Sequence, residues 1–315
     1  MSKIAFVFPG QGSQTVGMMK EFYDNYPVVK EVFKEADEAL GFSISDMCFN
    51  GPEDQLRLTF NTQPAILTCS IAAMKVLNEN GVYPDVAAGH SLGEYSALVA
   101  AGALSFQDAV RTVRKRGQFM QEAVPVGEGS MAAVLGLDSD KIIEICQNAE
   151  KETGKAVQAV NFNCPGQVVI AGAVEGVNKA IDELKAAGAK RAILLPVSAP
   201  FHSTLMKPAS DRLAEEFKNI TFSDAKIPVV ANVTAKEVTK ATEIEDLLIK
   251  QAASPVLWET SVRNMIDSGV TTFVEVGPGK VLCGFTKKIN KEFTPLNVED
   301  EASLDKTLAY FKEVR

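Results

Sequence analysis

Short apolar runs alternate along this chain with longer stretches in which apolar positions recur at helical spacing. Residues 4–8 read as a buried first strand, 28–40 and 63–80 carry the helical period, and 85–88 reads as another short strand. Strand and helix in alternation predict a parallel sheet covered by helices. No segment repeats at a solenoid period.

The stretch from 129 to 198 has an order of its own. Residues 131–137 read as a strand and 138–151 as a helix with Asp138 as its N-cap. Strands over 157–162 and 167–171 follow, joined by a turn containing Pro165-Gly166. A helix over 174–187, stopped by Gly188, and a strand over 192–197 complete the order βαββαβ, that of a ferredoxin-like module. Placed inside the chain, it predicts a discontinuous main unit of 1–127 and 199–315 around a small unit of 128–198.

The length of 315 residues suits such a division. With 46% apolar and 23% charged residues the composition is that of a globular protein, so function has to come from sites. A net charge of −8 disfavours a general nucleic-acid surface, which needs an excess of Lys and Arg. The apolar run at the start is too short for a signal peptide core, and no stretch is long enough to cross a bilayer, so a cytoplasmic location without membrane attachment is expected. Five scattered cysteines with no C-x-x-C spacing suggest neither a disulfide framework nor a zinc site. Only two histidines, His90 and His202, are present, so no metal centre is expected and few candidates exist for an imidazole base.

Four segments could carry chemistry. Gly89-His90-Ser91-Leu92-Gly93 lies between a predicted strand and a predicted helix, the setting of a nucleophile elbow that exposes the Ser hydroxyl. The plain alternative is a glycine-bounded turn with a capping Ser. Pro9-Gly10-Gln11-Gly12 follows the first strand, where the Gln11 N–H could meet an oxyanion together with the N–H of Leu92. A dinucleotide loop is rejected, since Gly10-x-Gly12-x-x-Thr15 lacks the third glycine.

A Ser hydroxyl needs a base, and His202, at the end of a predicted strand, is a better candidate than His90, whose ring would project to another side of the elbow. In 106–120, Phe106, Ala109, Val110, Val113, Gly117 and Met120 form an inward stripe, with Arg116 at its edge while Arg111, Arg114 and Lys115 point away. An inward guanidinium needs an anion, either a structural Asp or Glu or a substrate carboxylate.

Pro9-Gly10-Gln11-Gly12, Gly89-His90-Ser91-Leu92-Gly93-Glu94, Arg116-Gly117, Ala199-Pro200-Phe201-His202-Ser203 and Gly277-Pro278-Gly279, in this order along nearly the whole chain, resemble the bacterial malonyl-CoA:acyl-carrier-protein transacylases. The resemblance implies an α/β-hydrolase-like core with a ferredoxin-like insert and an active site in the cleft between them. It implies that Ser91 is the nucleophile, His202 the base, and the N–H groups of Gln11 and Leu92 the oxyanion hole. It gives Arg116 the free carboxylate of malonate, Gln251 the task of orienting the histidine, and Asn161 a place in the pocket. Phe201 matches the malonyl-selecting form, where methylmalonyl relatives commonly have Ser.

The partners implied are malonyl-CoA and, transiently, acyl carrier protein, with a coenzyme A thioester as substrate, no permanently bound cofactor, and a monomeric chain. Carrier proteins are acidic, so Lys190-Arg191 and Lys287-Lys288 are candidate docking pairs, with ordinary solvated surface charge as the alternative. Rival readings are a discrete acyltransferase of a polyketide pathway, a serine esterase or thioesterase, and a scaffold that docks carrier protein without chemistry.

Overall fold

The computed structural model describes residues 3–197 and 199–314. Met1, Ser2, Ser198 and Arg315, which bound the expected units, lie outside the described residues. Among the described residues the strands are β1 (Lys3–Phe8), β2 (Val86–Gly89), β3 (Gly129–Leu135), β4 (Val157–Cys164), β5 (Gln167–Ala173), β6 (Arg191–Leu194), β7 (Val229–Val230), β8 (Glu237–Val238), β9 (Val270–Val276) and β10 (Leu296–Val298).

One sheet has the order β10-β9-β1-β2-β7-β8 and is parallel except where β8 pairs with β7. Side chains alternate across its faces, which explains the unbroken apolar run of β1. Phe6 and Phe8 enter a core that holds Ile66, Leu98 and Val274, while Ala5 and Val7 enter another that holds Trp258, Val262 and Phe273. Both faces are covered, so neither set of positions can be polar. The strands β1, β2, β7 and β9 end at one edge, where Pro9, His90, Asn232 and Gly277 follow within two residues. In open α/β sheets that carboxyl edge is where ligands bind.

The other sheet, β4-β5-β3-β6, is antiparallel throughout. Its strands and the helices Ser139–Thr153 and Val174–Ala186 follow in the order βαββαβ. Alternation again divides the strands. Ala132, Val134, Val168 and Ile170 pack under the two helices with Ile142, Val177 and Leu184. Met131, Val169 and Ala171 face the opposite way, with Val160, Leu195, Val197 and Phe201. The fold is therefore α/β, an α/β-hydrolase-like core with an inserted ferredoxin-like unit. The two are stitched by Phe162 N–H to Val256 C=O (3.0 Å), Val256 N–H to Val160 C=O (2.7 Å), and Gln158 with Thr204 (2.9 and 3.0 Å).

Three local readings change. The strand expected over 192–197 is Arg191–Leu194, because Pro196 lacks an N–H to continue the ladder; Leu195 still donates to Met131 C=O (2.9 Å), and the chain then tightens as Val197 N–H reaches Leu195 C=O (2.8 Å). Asp138 does occupy the N-cap position, but its side chain makes no capping hydrogen bond. Arg114 does not point away: it is half-buried, donating to Phe60 C=O (3.3 Å) and Asn61 Oδ1, with its guanidinium 4.4 Å from the Phe42 ring centroid. Weak hydration and a planar face make guanidinium suited to such a stack.

Candidate active site

From β2 the chain turns through His90, Ser91 and Leu92 into the helix Gly93–Ala100. The turn is tight enough that a Cβ on Gly89 would lie 1.9 Å from the Gly93 carbonyl, and one on Gly93 would lie 2.1 Å from the Phe8 carbonyl oxygen. Ser91 itself takes φ 51°, a left-handed conformation costly for a side chain with a Cβ and typical of functional elbows. Asn232, just past β7, grips the turn from below. Its Oδ1 accepts from Ser91 N–H (2.7 Å) and its Nδ2 donates to Gly89 C=O (2.7 Å). The Ser91 N–H is thus occupied, while Leu92 is the N-cap of the helix Gly93–Ala100, so its N–H has no acceptor within the helix.

His202, also left-handed at φ 65° and 3% exposed, places Nε2 2.7 Å from Ser91 Oγ. Its Nδ1 lies 2.9 Å from the backbone oxygen of Gln251, the last residue of the helix Ala241–Gln251. A carbonyl at a helix C-terminus has no partner within the helix and can accept only. Nδ1 therefore carries the proton, and Nε2 is free to accept the Ser91 hydroxyl hydrogen. Burial, with the positive charge of Arg116 as a second cause, lowers the His202 pKa to about 3, so the ring is neutral at pH 7. Its orienting partner is a backbone carbonyl rather than a carboxylate.

Arg116, 1% exposed on the helix Phe106–Glu122, reaches the same point. One Nη donates to Gln63 Oε1 (2.7 Å); the other donates to Gln251 Oε1 (2.8 Å) and to Ser91 Oγ (3.1 Å). All three acceptors are neutral. The positive charge beside Ser91 Oγ favours any negative charge that develops there.

Ser91, Gln11, Leu92, Arg116, Asn161, Phe201 and His202 line one cavity of about 120 Å³, together with Gln63, His90, Met120, Met131, Leu195 and Val197. Asn161, on β4, has a buried Oδ1 with no hydrogen-bond partner. Phe201 packs against Met120 of the core and Met131 of the insert, closing one end. A groove of about 270 Å³ continues from Gln11, His90 and Asn161 past Asn163 and Leu195 to Val281 and Phe285. A larger groove of about 780 Å³ runs along the helix Ser139–Thr153 and reaches His202.

The expected candidates Ser91, His202, Arg116, Gln251, Gln11, Leu92, Asn161 and Phe201 are thus brought together. His90 is not beside the hydroxyl: its Nε2 lies 2.8 Å from Asn163 Oδ1, and its ring lies against Trp258 and Phe285. Lys190, Arg191, Lys287 and Lys288 are exposed and outside the cavity. Arg191 pairs with Leu135 of β3, Leu135 pairs with Gln167, and Lys288 Nζ lies 3.4 Å from Gln167 Oε1, so Lys287-Lys288, on the core helix Val281–Ile289, lie against the end of the insert that carries Lys190-Arg191.

Sequence reading missed Asn232, Glu94 and Gln63 as site residues. Glu94 is 3% exposed, and burial outweighs its hydrogen bonds and the Arg116 charge to raise its pKa to about 7. Its signal was an acid in the first turn of a helix that is otherwise apolar at most positions.

The sequence profile of the acyl transferase domain family matches residues 5–306. The malonyl CoA-acyl carrier protein transacylase of Bacillus subtilis (strain 168) is 52% identical over 313 residues, 99% of this chain and 98% of that protein. The acyl-carrier-protein S-malonyltransferase of Burkholderia pseudomallei 1710b superposes with a TM-score of 0.95 at 50% identity, covering 98% of this chain and 99% of the other. A malonyl-transacylase solved in complex with a type II PKS acyl-carrier protein superposes with a TM-score of 0.95 at 46% identity, over 98% and 100% of the two chains. The chain belongs to the acyl transferase domain family, and the resemblance read from its five motifs is borne out.

Proposed function

We propose that this chain is an acyltransferase that moves a malonyl group from coenzyme A to the phosphopantetheine thiol of an acyl carrier protein, in fatty-acid biosynthesis. His202 Nε2 takes the Ser91 proton as Oγ attacks the thioester carbonyl, and the N–H groups of Gln11 and Leu92 meet the oxyanion. The tetrahedral adduct collapses, the C–S bond breaks, and the coenzyme A sulfur leaves with the proton held by His202. The carrier thiol then gives its proton to His202 and attacks the malonyl-Ser91 ester. Ser91 Oγ departs and regains that proton.

The single observation that carries this reading is Arg116. The guanidinium is buried at the nucleophile and its hydrogen bonds go to neutral acceptors, with the Glu94 carboxylate one amide away behind Gln251; the positive charge it turns toward Ser91 Oγ matches the free carboxylate of malonate. Phe201 bounds the acyl space and disfavours a branched malonyl group. The steps balance with no bound cofactor, and one chain carries every group they use, which supports a monomer; the likeness to bacterial malonyl CoA-acyl carrier protein transacylases supports a coenzyme A substrate and a cytoplasmic location. We keep 1–127 with 199–315 as the catalytic core and 128–198 as the small unit, supported by the separate sheet and core cluster of the latter.

The test is transfer from malonyl-CoA with and without a carrier protein. Malonyl should appear on the carrier thiol, with little free malonate when the acceptor is absent; equal release of free acid without it would favour the esterase reading. Likeness to the transacylase solved with a type II PKS carrier protein favours a second reading, transfer to a polyketide carrier, so both carrier classes belong in the assay. We place docking on Lys190, Arg191, Lys287 and Lys288. Reversing these charges should raise KM for the carrier protein and spare KM for malonyl-CoA.

A further inference from the structure

Glu94 is three residues past Ser91, and its carboxylate sits beneath the whole constellation. Its Oε2 accepts from Gln251 Nε2 (2.8 Å) and from Asn232 N–H (3.2 Å). Gln251 Nε2 donates to Ser91 C=O as well (2.9 Å), while its Oε1 accepts from Arg116 (2.8 Å). A carboxamide can present either end to a neighbour, and only its partners fix which. Here the NH₂ end meets acceptors, one of them anionic, and the oxygen meets a group that can only donate. Reversing the amide would set NH₂ against guanidinium and oxygen against carboxylate. A chain of cation, amide and anion therefore runs from Arg116 through Gln251 to Glu94. The same Gln251 offers its backbone oxygen to His202 Nδ1, and the same carboxylate holds Asn232, which grips the Ser91 N–H.

We infer that Glu94 is a positioning residue for the transfer: through Gln251 it sets the direction of the Arg116 guanidinium and the bearing of His202, and through Asn232 it holds the elbow. The inference rests on the malonyl-transfer reading of the site. Several groups meet Glu94: Arg116 from its helix, Gln251 from the end of the helix Ala241–Gln251, Asn232 from beyond β7, and Tyr95 from its own helix, with His202 behind Gln251. Arg116 is the charged member of that set. Protonation of Glu94 near pH 7 would discharge the anchor, whereas His202, lowered to about 3, stays neutral across that range.

The experiment is the pH profile of kcat/KM for malonyl-CoA in the wild-type chain and in Glu94→Gln, with p-nitrophenyl acetate as a neutral substrate that acylates Ser91 and carries no carboxylate for Arg116 to hold. In the wild type both activities should fall as pH drops through about 7. In Glu94→Gln the malonyl-CoA value should be lower by about 10- to 100-fold, as for loss of a hydrogen bond to a charged group, and the acid limb should vanish with both substrates. Wild-type profiles flat from pH 8 to pH 5 would overturn the inference whether or not the variant folds. A variant that melts earlier yet keeps the wild-type limb would overturn it too, since a scaffolding role alone would leave the limb in place. If the wild type transfers no malonyl, the functional reading falls, and the ester profile still decides the role of Glu94.

Discussion

The two sides of the crevice differ in kind. The parallel-sheet core contributes the hydroxyl, the imidazole, the guanidinium and the amides of Gln11, Gln63 and Gln251; the insert contributes Met131, Leu195, Val197 and the amide of Asn161. On the proposed mechanism, proton transfer sits where a strand and a helix end, because those ends present free backbone groups and fixed turns, while the charge of Arg116 reaches in from the middle of the helix Phe106–Glu122. Ser91 follows β2, and His202 leans on the last carbonyl of a helix. The insert, a self-contained sheet with its helices on the far face, is free to act as a wall. On that mechanism the core performs the reaction and the insert shapes what enters it.

Changes on the core side should be the most damaging. His202→Ala should lower kcat by up to about ten-thousand-fold, the upper end of what a positioned general base contributes, measured by single-turnover acylation from malonyl-CoA. Arg116→Ala should come next, reducing malonyl transfer by about 100-fold and erasing the preference for malonyl-CoA over acetyl-CoA, read from the ratio of the two kcat/KM values. An unchanged ratio would remove the clamp.

A change on the insert side should be milder. Asn161→Ala should raise KM for malonyl-CoA by about threefold, the scale of one neutral hydrogen bond, and leave acylation by p-nitrophenyl acetate unchanged. A loss as deep as that of Arg116→Ala would break the division between a reacting side and a walling side.

The smallest effect on transfer is expected at Glu275, a fully buried core acid that does not line the cavity. It accepts from Cys283 N–H at the start of the helix Val281–Ile289 (2.8 Å), and burial raises its pKa to about 7. A carboxyl whose folded pKa lies above its unfolded value stabilises fully below the unfolded value, near 4.5, and that stability is lost as pH rises towards 7. Glu275→Gln lacks this loss. Transfer should be unchanged, and the variant should gain on the wild type by about 2.5 kcal/mol between pH 5 and pH 8, read by denaturant unfolding at both pH values. A constant difference would show that Glu275 is not discharged by burial.

Much of this was legible along the chain because it is local. The elbow lies within five consecutive residues, only two histidines compete for the base, and Arg116 falls on the edge of a helical stripe. The insert was legible because turns and periodicity mark each of its elements. Residues that arrive by topology were not. Asn232 lies 141 positions from Ser91, and Gln63 lies 53 from Arg116; no spacing rule connects them. Arg114 is not legible in this way, because periodicity places a side chain on a face without revealing the aromatic rings of Phe42 and Phe60 there. The end of β6 is not legible either, because the apolar residues Leu195 and Val197 continue the strand pattern past the point where Pro196 withholds a donor.

The central claim, a covalent acyl ester on Ser91, is tested most directly by incubating the chain with malonyl-CoA, quenching in acid, and mapping the added mass by peptide, with acetyl-CoA and Ser91→Ala alongside. Malonyl is expected on the peptide that carries Ser91, with far less acetyl, and none in the variant. Malonyl on another residue, or turnover that persists in Ser91→Ala, would contradict the claim.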